Sequence, residues 1–152
     1  MTVKERIQHF RSISRNYSDN SILMHEAIAR KAGLSGTDHK YLGLILQKGQ
    51  MTAGELSKVT GLTTGAVTGL IDRLEKKKLV QREFVKDDRR KVIIVANKQN
   101  TNKVMEPLFK DVQEKTSKLI SSFSEKEFQI IEKYFVNATK IMKETQEKLS
   151  KK

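Results

Sequence analysis

Two groups of residues in this 152-residue chain have the types and spacing needed to engage a polyanion. The first is Thr63, Thr64, Gly65 and Thr68, followed by Arg73 and the run Lys76, Lys77, Lys78. Threonine hydroxyls hydrogen-bond to base edges or phosphates and their methyls pack on thymine, while glycine lets a helix seat deeply in a major groove. The second group is Lys86, Asp87, Asp88, Arg89, Arg90 and Lys91. Arginines on a narrow ribbon match the enhanced negative potential of a narrow minor groove. Asp88 would brace an arginine or cap the turn through charge-assisted hydrogen bonds. Each group alone also has a plainer reading: Thr63 and Thr64 as helix caps, the lysines as a solvated face, the charged tip as a solubility device. Asp72 reads as a partner for Arg73, Lys76 or a nearby amide rather than as a base contact.

Positioning these groups requires a particular order of elements. Thr2 with Glu5, Thr52 with Glu55 and Ser124 with Glu127 fit the capping-box pattern ahead of apolar-periodic stretches. A first helix is expected over 3–31, with a bend near 18–21 and a stop at Gly33. A second follows Ser35 and ends at Gly49, and a third spans 53–59 and stops at Gly61. A fourth covers 63–77, with Val67, Leu70, Ile71 and Leu74 on one face. The short helix, the glycine turn and the longer helix have the layout of a helix-turn-helix. Between Leu79 and Val95 the period changes to that of a β-hairpin with a charged tip. Two more helices are expected over 100–121 and 125–148, the first kinked or late-starting because of Pro107.

Composition narrows the function classes. Thirty Lys and Arg against 18 Asp and Glu give a net charge of +12, the sign expected of a protein that meets a polyanion. There is no cysteine, which removes disulfides, thiolate metal sites and thiol redox sensing from this chain. No apolar run approaches the roughly 20 residues that span a bilayer, and no membrane partner and a cytoplasmic location are expected. His9, His25 and His39 lack metal-ligand spacing, and neither a phosphate loop nor a nucleophile elbow is present. The expectation is a protein that is not an enzyme and needs no cofactor or metal.

The stretch GLTTGAVTGLIDRLEKKKLVQREFVKDDRRKVIIVAN, residues 61–97, resembles the recognition helix and wing of the MarR family. Asp88, Arg89 and Arg90 stand where that family's wing carries Asp-Arg-Arg, and the flanking helices fit in number and order. The resemblance implies a mainly α fold with a small β-hairpin wing, ordered helix-helix-helix-helix-hairpin-helix-helix, in a winged helix-turn-helix homodimer. It implies dimerisation helices at 1–33 and 98–152 around a DNA-binding domain at 34–97. It also places Thr63, Thr64, Gly65, Thr68 and Arg73 on the DNA side of the fourth helix, with Arg89 entering the minor groove. Lys86, Arg90 and Lys91 would accompany Arg89. Departures from the family pattern are Lys78 where glycine is common, Val85 and Lys86 at the wing's entry, and Asn97 and Asn100 before the fifth helix.

Dimerisation has a second ground, since Phe10, Phe123, Phe128, Phe135 and Ile141 exceed what one small winged domain can bury. The expected function is a sequence-specific regulator of transcription, a repressor by family habit, bound to a pseudo-palindromic double-stranded operator. A small aromatic or anionic effector is implied by the resemblance, with Tyr17, His25, Arg30 and Tyr41 as candidate pocket residues. The alternatives are a sequence-neutral architectural binder of nucleic acid, and a winged module that serves only protein contacts.

Overall fold

A computed structural model describes residues 1–85 and 88–150, with side chains described at 1–84 and 92–150. The elements in order are α1 (Val3–Lys31), α2 (Gly36–Lys48), β1 (Gln50–Thr52), α3 (Ala53–Thr60), α4 (Thr64–Lys76), β2 (Val80–Val85), β3 (Asp88–Ala96), α5 (Lys98–Ser121) and α6 (Glu125–Ser150). The fold is therefore mainly α with a small antiparallel sheet, a winged helix-turn-helix. Two compact units are distinguished, Met1–Phe109 and Lys110–Lys152.

Local chemistry starts the helices where the sequence says it should. Thr2 accepts from the Glu5 amide while the Glu5 carboxylate accepts from the Thr2 amide, and Thr52 with Glu55 repeats the arrangement at α3. Ser124 and Glu127 close the same box ahead of α6. Helix α1 is continuous from Val3 to Lys31, including residues 18–21. Helix α5 begins at Lys98, well before Pro107, so the late start does not occur.

The hairpin expectation was incomplete. Strand β1 pairs with β3 through Gln50–Val95, Met51–Ile94 and Thr52–Ile93, making a three-stranded sheet in the order β1-β3-β2. Three residues are too short to show a period of two, so β1 exists only because β3 supplies its hydrogen-bond partners. Its Met51 is buried in the core with Ile45, Leu56, Leu70, Leu74, Leu79 and Ile94.

The departures at Lys78, Asn97 and Asn100 fit together. Lys78 adopts φ 58°, the left-handed conformation in which glycine is unstrained. The Asn100 amide donates to the carbonyls of Lys77 and Lys78 at 3.3 and 3.0 Å, tying down that turn. Asn97 in turn accepts the Asn100 backbone N–H at 3.0 Å and so caps α5. The substitutions thus form one connected polar arrangement between the end of α4 and the start of α5.

Candidate nucleic-acid interface

Helix α4 is positioned by its own apolar face. Val67, Leu70, Ile71 and Leu74 are each at most 2% exposed, and burial of a large aliphatic side chain stabilises by about 1.5–3 kcal/mol. The turn before it is set by side chains. Gly61 sits at φ 72°, Ser57 Oγ donates to the Leu62 carbonyl at 2.6 Å, and Thr60 Oγ1 accepts from the Leu62 amide at 3.2 Å. Thr63 then caps the helix by accepting the Ala66 amide at 3.3 Å.

The opposite face is the candidate interface. Thr63, Thr64, Gly65 and Thr68 are all exposed, and a Cβ on Gly65 would meet no atom within 4 Å. Thr68 Oγ1 donates to the Thr64 carbonyl at 3.0 Å, which leaves its oxygen lone pairs and methyl outward. The capping role of Thr63 and an outward-facing role are therefore compatible, because the cap uses only an acceptor lone pair.

Arg73 has an intramolecular partner that the sequence did not indicate. Its Nε and Nη2 donate to Asp38 Oδ2 and Oδ1 at 2.9 and 2.7 Å, a bidentate pair between α4 and the first turn of α2. The Asp38 side chain is 6% exposed and that of Arg73 57%, so a buried carboxylate is satisfied by a half-solvated guanidinium. Hydrogen bonding to Asp38 raises the Arg73 pKa, which keeps the group charged throughout the biological range. Asp72 forms its ion pair with Arg82 on β2, which also engages Glu75, and its charge in addition favours the charged form of Arg73. Three ion pairs therefore fix α4, one to α2 and two to the wing's first strand. Sequence reasoning missed Asp38 altogether, since its partner lies 35 residues away.

For the wing, Asp88, Arg89, Arg90 and Lys91 belong to β3 by their backbone, while the expectation for Lys86 lies outside the described residues. The expectations for the side chains of Asp88 to Lys91 likewise lie outside what is described. Strand β2 pairs with β3 from Val80–Ala96 to Phe84–Val92, with a shift in register between Phe84 and Val85.

Of the four effector candidates, His25 lines a cavity beside α2. That cavity, about 790 Å³, lies among α1, α2 and the first part of α5 and is lined by His25, Glu26, His39, Lys40, Met105 and Phe109, among others. Tyr41 instead packs against the core with its ring under Lys40, and Arg30 is exposed in a helical pair with Glu26. Tyr17 is 65% exposed on α1 and does not line this cavity. His39, which the sequence did not single out, faces His25 across it at 3.3 Å. Among the described residues no group of three or more potential metal ligands occurs, and no helix is long and apolar enough to cross a membrane.

Comparison with known proteins gives a consistent result. The profile of the MarR family matches residues 32–91. The HTH-type transcriptional regulator YcgE of Bacillus subtilis is 40% identical over 146 residues, covering 96% of this chain and 92% of the relative. Among solved structures, Streptococcus pneumoniae FabT in complex with DNA matches with a TM-score of 0.74 at 20% identity, covering 91% of this chain and 99% of that one. A MarR family protein from Bacillus stearothermophilus matches with a TM-score of 0.72 at 22% identity, over 94% and 99% of the two chains.

Proposed function

Because this chain belongs to the MarR family of helix-turn-helix transcriptional regulators, we propose that it binds a pseudo-palindromic double-stranded DNA operator as a homodimer and represses transcription. The observation that carries this reading is the two-sidedness of α4. Its apolar face is sealed into the core, and Thr63, Thr64, Gly65 and Thr68 stand open to solvent at its N-terminal half. These four are assigned to the major groove. Arg73 contributes through Nη1 and the second N–H of Nη2, because its Nε–H and one Nη2–H are committed to Asp38. Arg89, Arg90, Lys86 and Lys91 of the wing are assigned to the minor groove, with Asp88 as their brace.

Homodimer formation is supported by apolar side chains that the single chain leaves exposed, among them Val3, Ile7 and Ile13 on α1 and Ile130, Ile141 and Met142 on α6. In the proposed division, residues 1–33 and 98–152 build the dimer around a reading head at 34–97. A small aromatic or anionic effector in the cavity beside His25 would release DNA by favouring a spacing of the two heads that misses successive major grooves.

Selection of bound duplexes from a random pool, followed by competition with random duplex, tests this reading. A specific regulator prefers the selected duplex by roughly a thousandfold, and Arg89→Ala weakens that binding by about 1–3 kcal/mol. Equal competition by random duplex would leave the sequence-neutral binder favoured by the net charge of +12.

A further inference from the structure

Two adjacent residues in the first turn of α2 reach in different directions. Asp38 holds Arg73 of α4 at 2.7 and 2.9 Å, and the His39 ring meets His25 of α1, Nε2 to Nδ1, at 3.3 Å. Phe109 of α5 packs on both imidazoles, with ring centroids 5.8 and 5.9 Å away. The second nitrogen of His39, Nδ1, is buried and has no hydrogen-bond partner among the described residues.

We propose that His25 and His39 form a proton-operated catch between α1 and α2, and that Asp38 passes its state to α4 through Arg73. Naming α4 a recognition helix rests on the DNA-binding reading above, whereas the catch itself does not.

Proton bookkeeping shows why the catch has two states. In the neutral pair, His39 Nε2–H donates to His25 Nδ1, and the buried His39 Nδ1 is left with a bare lone pair. An unpaired acceptor is tolerated more readily than an orphaned N–H. Adding one proton leaves only two kinds of arrangement. Either His39 Nδ1 carries a hydrogen with no acceptor, or two N–H groups confront one another across 3.3 Å. Each removes the bond between α1 and α2 or leaves a buried donor unsatisfied.

The surroundings favour the neutral form. Glu26 of α1 and Lys40 of α2 are the charged groups lining the cavity, with opposite signs, and Arg30 lies 3.9 Å from Glu26. The α5 contribution is Thr101, Asn102, Met105 and Phe109, none of which titrates. Burial first, and the neighbouring His25 charge second, lower the His39 pKa below its ordinary 6.5. The unfolded chain therefore binds the proton more readily than the folded one. Stability from the pair is complete above the ordinary value and is lost as pH falls below it toward the lowered folded value. Because Asp38 and His39 share one helical turn, a shift of that turn to relieve His39 displaces the carboxylate that orients Arg73.

The same orphaned Nδ1 disfavours a metal between the rings, since a metal-bound imidazole donates its other N–H to an acceptor. Nuclear magnetic resonance on the intact chain tests the catch without DNA, because only His9, His25 and His39 contribute imidazole signals. The His39 midpoint is expected below the ordinary imidazole value of 6.5, and it moves up in His25→Asn. The Arg73 Nε–H signal shifts through the His39 titration, and that step is lost in His39→Gln. Stoichiometric zinc at neutral pH leaves both imidazole signals in place. A His39 midpoint at or above the ordinary imidazole value, an Arg73 signal indifferent to that titration, or loss of the His25 and His39 signals to zinc would each overturn the proposal.

Discussion

Helices α4 and α6 carry similar apolar stripes and have opposite fates. Helix α4, 13 residues long, buries Val67, Leu70, Ile71 and Leu74, whereas α6, 26 residues long, has no buried residue. Amphipathic spacing states that a face needs covering and is silent about the cover. For α4 the cover comes from α2, α3 and the sheet of the same chain. For α6 the proposed cover is a second copy. The difference separates a face that folds the chain from a face that pairs it in the proposed dimer.

The largest test of this contrast is a pair of truncations. Leu74→Ala should lower unfolding free energy by about 3 kcal/mol in urea, the range for a buried leucine that leaves a cavity. Ile141→Ser with Val136→Ser, both at 63% exposed positions, should leave the folded helix content intact while converting a dimer to a monomer in sedimentation. If the double variant still sediments as a dimer, the α6 stripe is not the pairing face.

A smaller effect probes how α4 is aimed rather than how it is buried. Asp38→Asn removes the charge from the bidentate pair and should cost about 1–2 kcal/mol, reduced from the buried limit because Arg73 is half solvated. Urea denaturation measures it, and a cost near zero would mean that packing alone holds α4. The smallest expected change has the opposite sign. Lys78→Gly relieves a left-handed φ and should raise stability by up to about 1 kcal/mol, read as an upward shift in melting temperature. A lower melting temperature would show that the Lys78 side chain contributes more than the strain costs.

Much of this was legible along the chain, and unevenly so. The bounds of α1, the Thr52 box and the buried face of α4 were readable because each depends on neighbours within a few residues. The outward threonines were readable by subtraction, once the apolar face was known. Strand β1 was not, and neither were the partners of Arg73 and Asp72. Of the four residues expected at an effector pocket, His25 lines the cavity among α1, α2 and α5, while Tyr17, Arg30 and Tyr41 do not. Tyr41 shows why: an aromatic at helical spacing looks the same whether it packs on the core or lines a cavity.

By itself, the sequence determined the helix starts, the apolar faces and the two basic clusters, because capping and periodicity act over one turn of chain. Only the tertiary structure decided that Asp38 takes Arg73, that Arg82 takes Asp72 and Glu75, and that His39 meets His25. Those choices are made between segments distant along the chain. They exist only where burial of the core brings the segments within hydrogen-bonding distance.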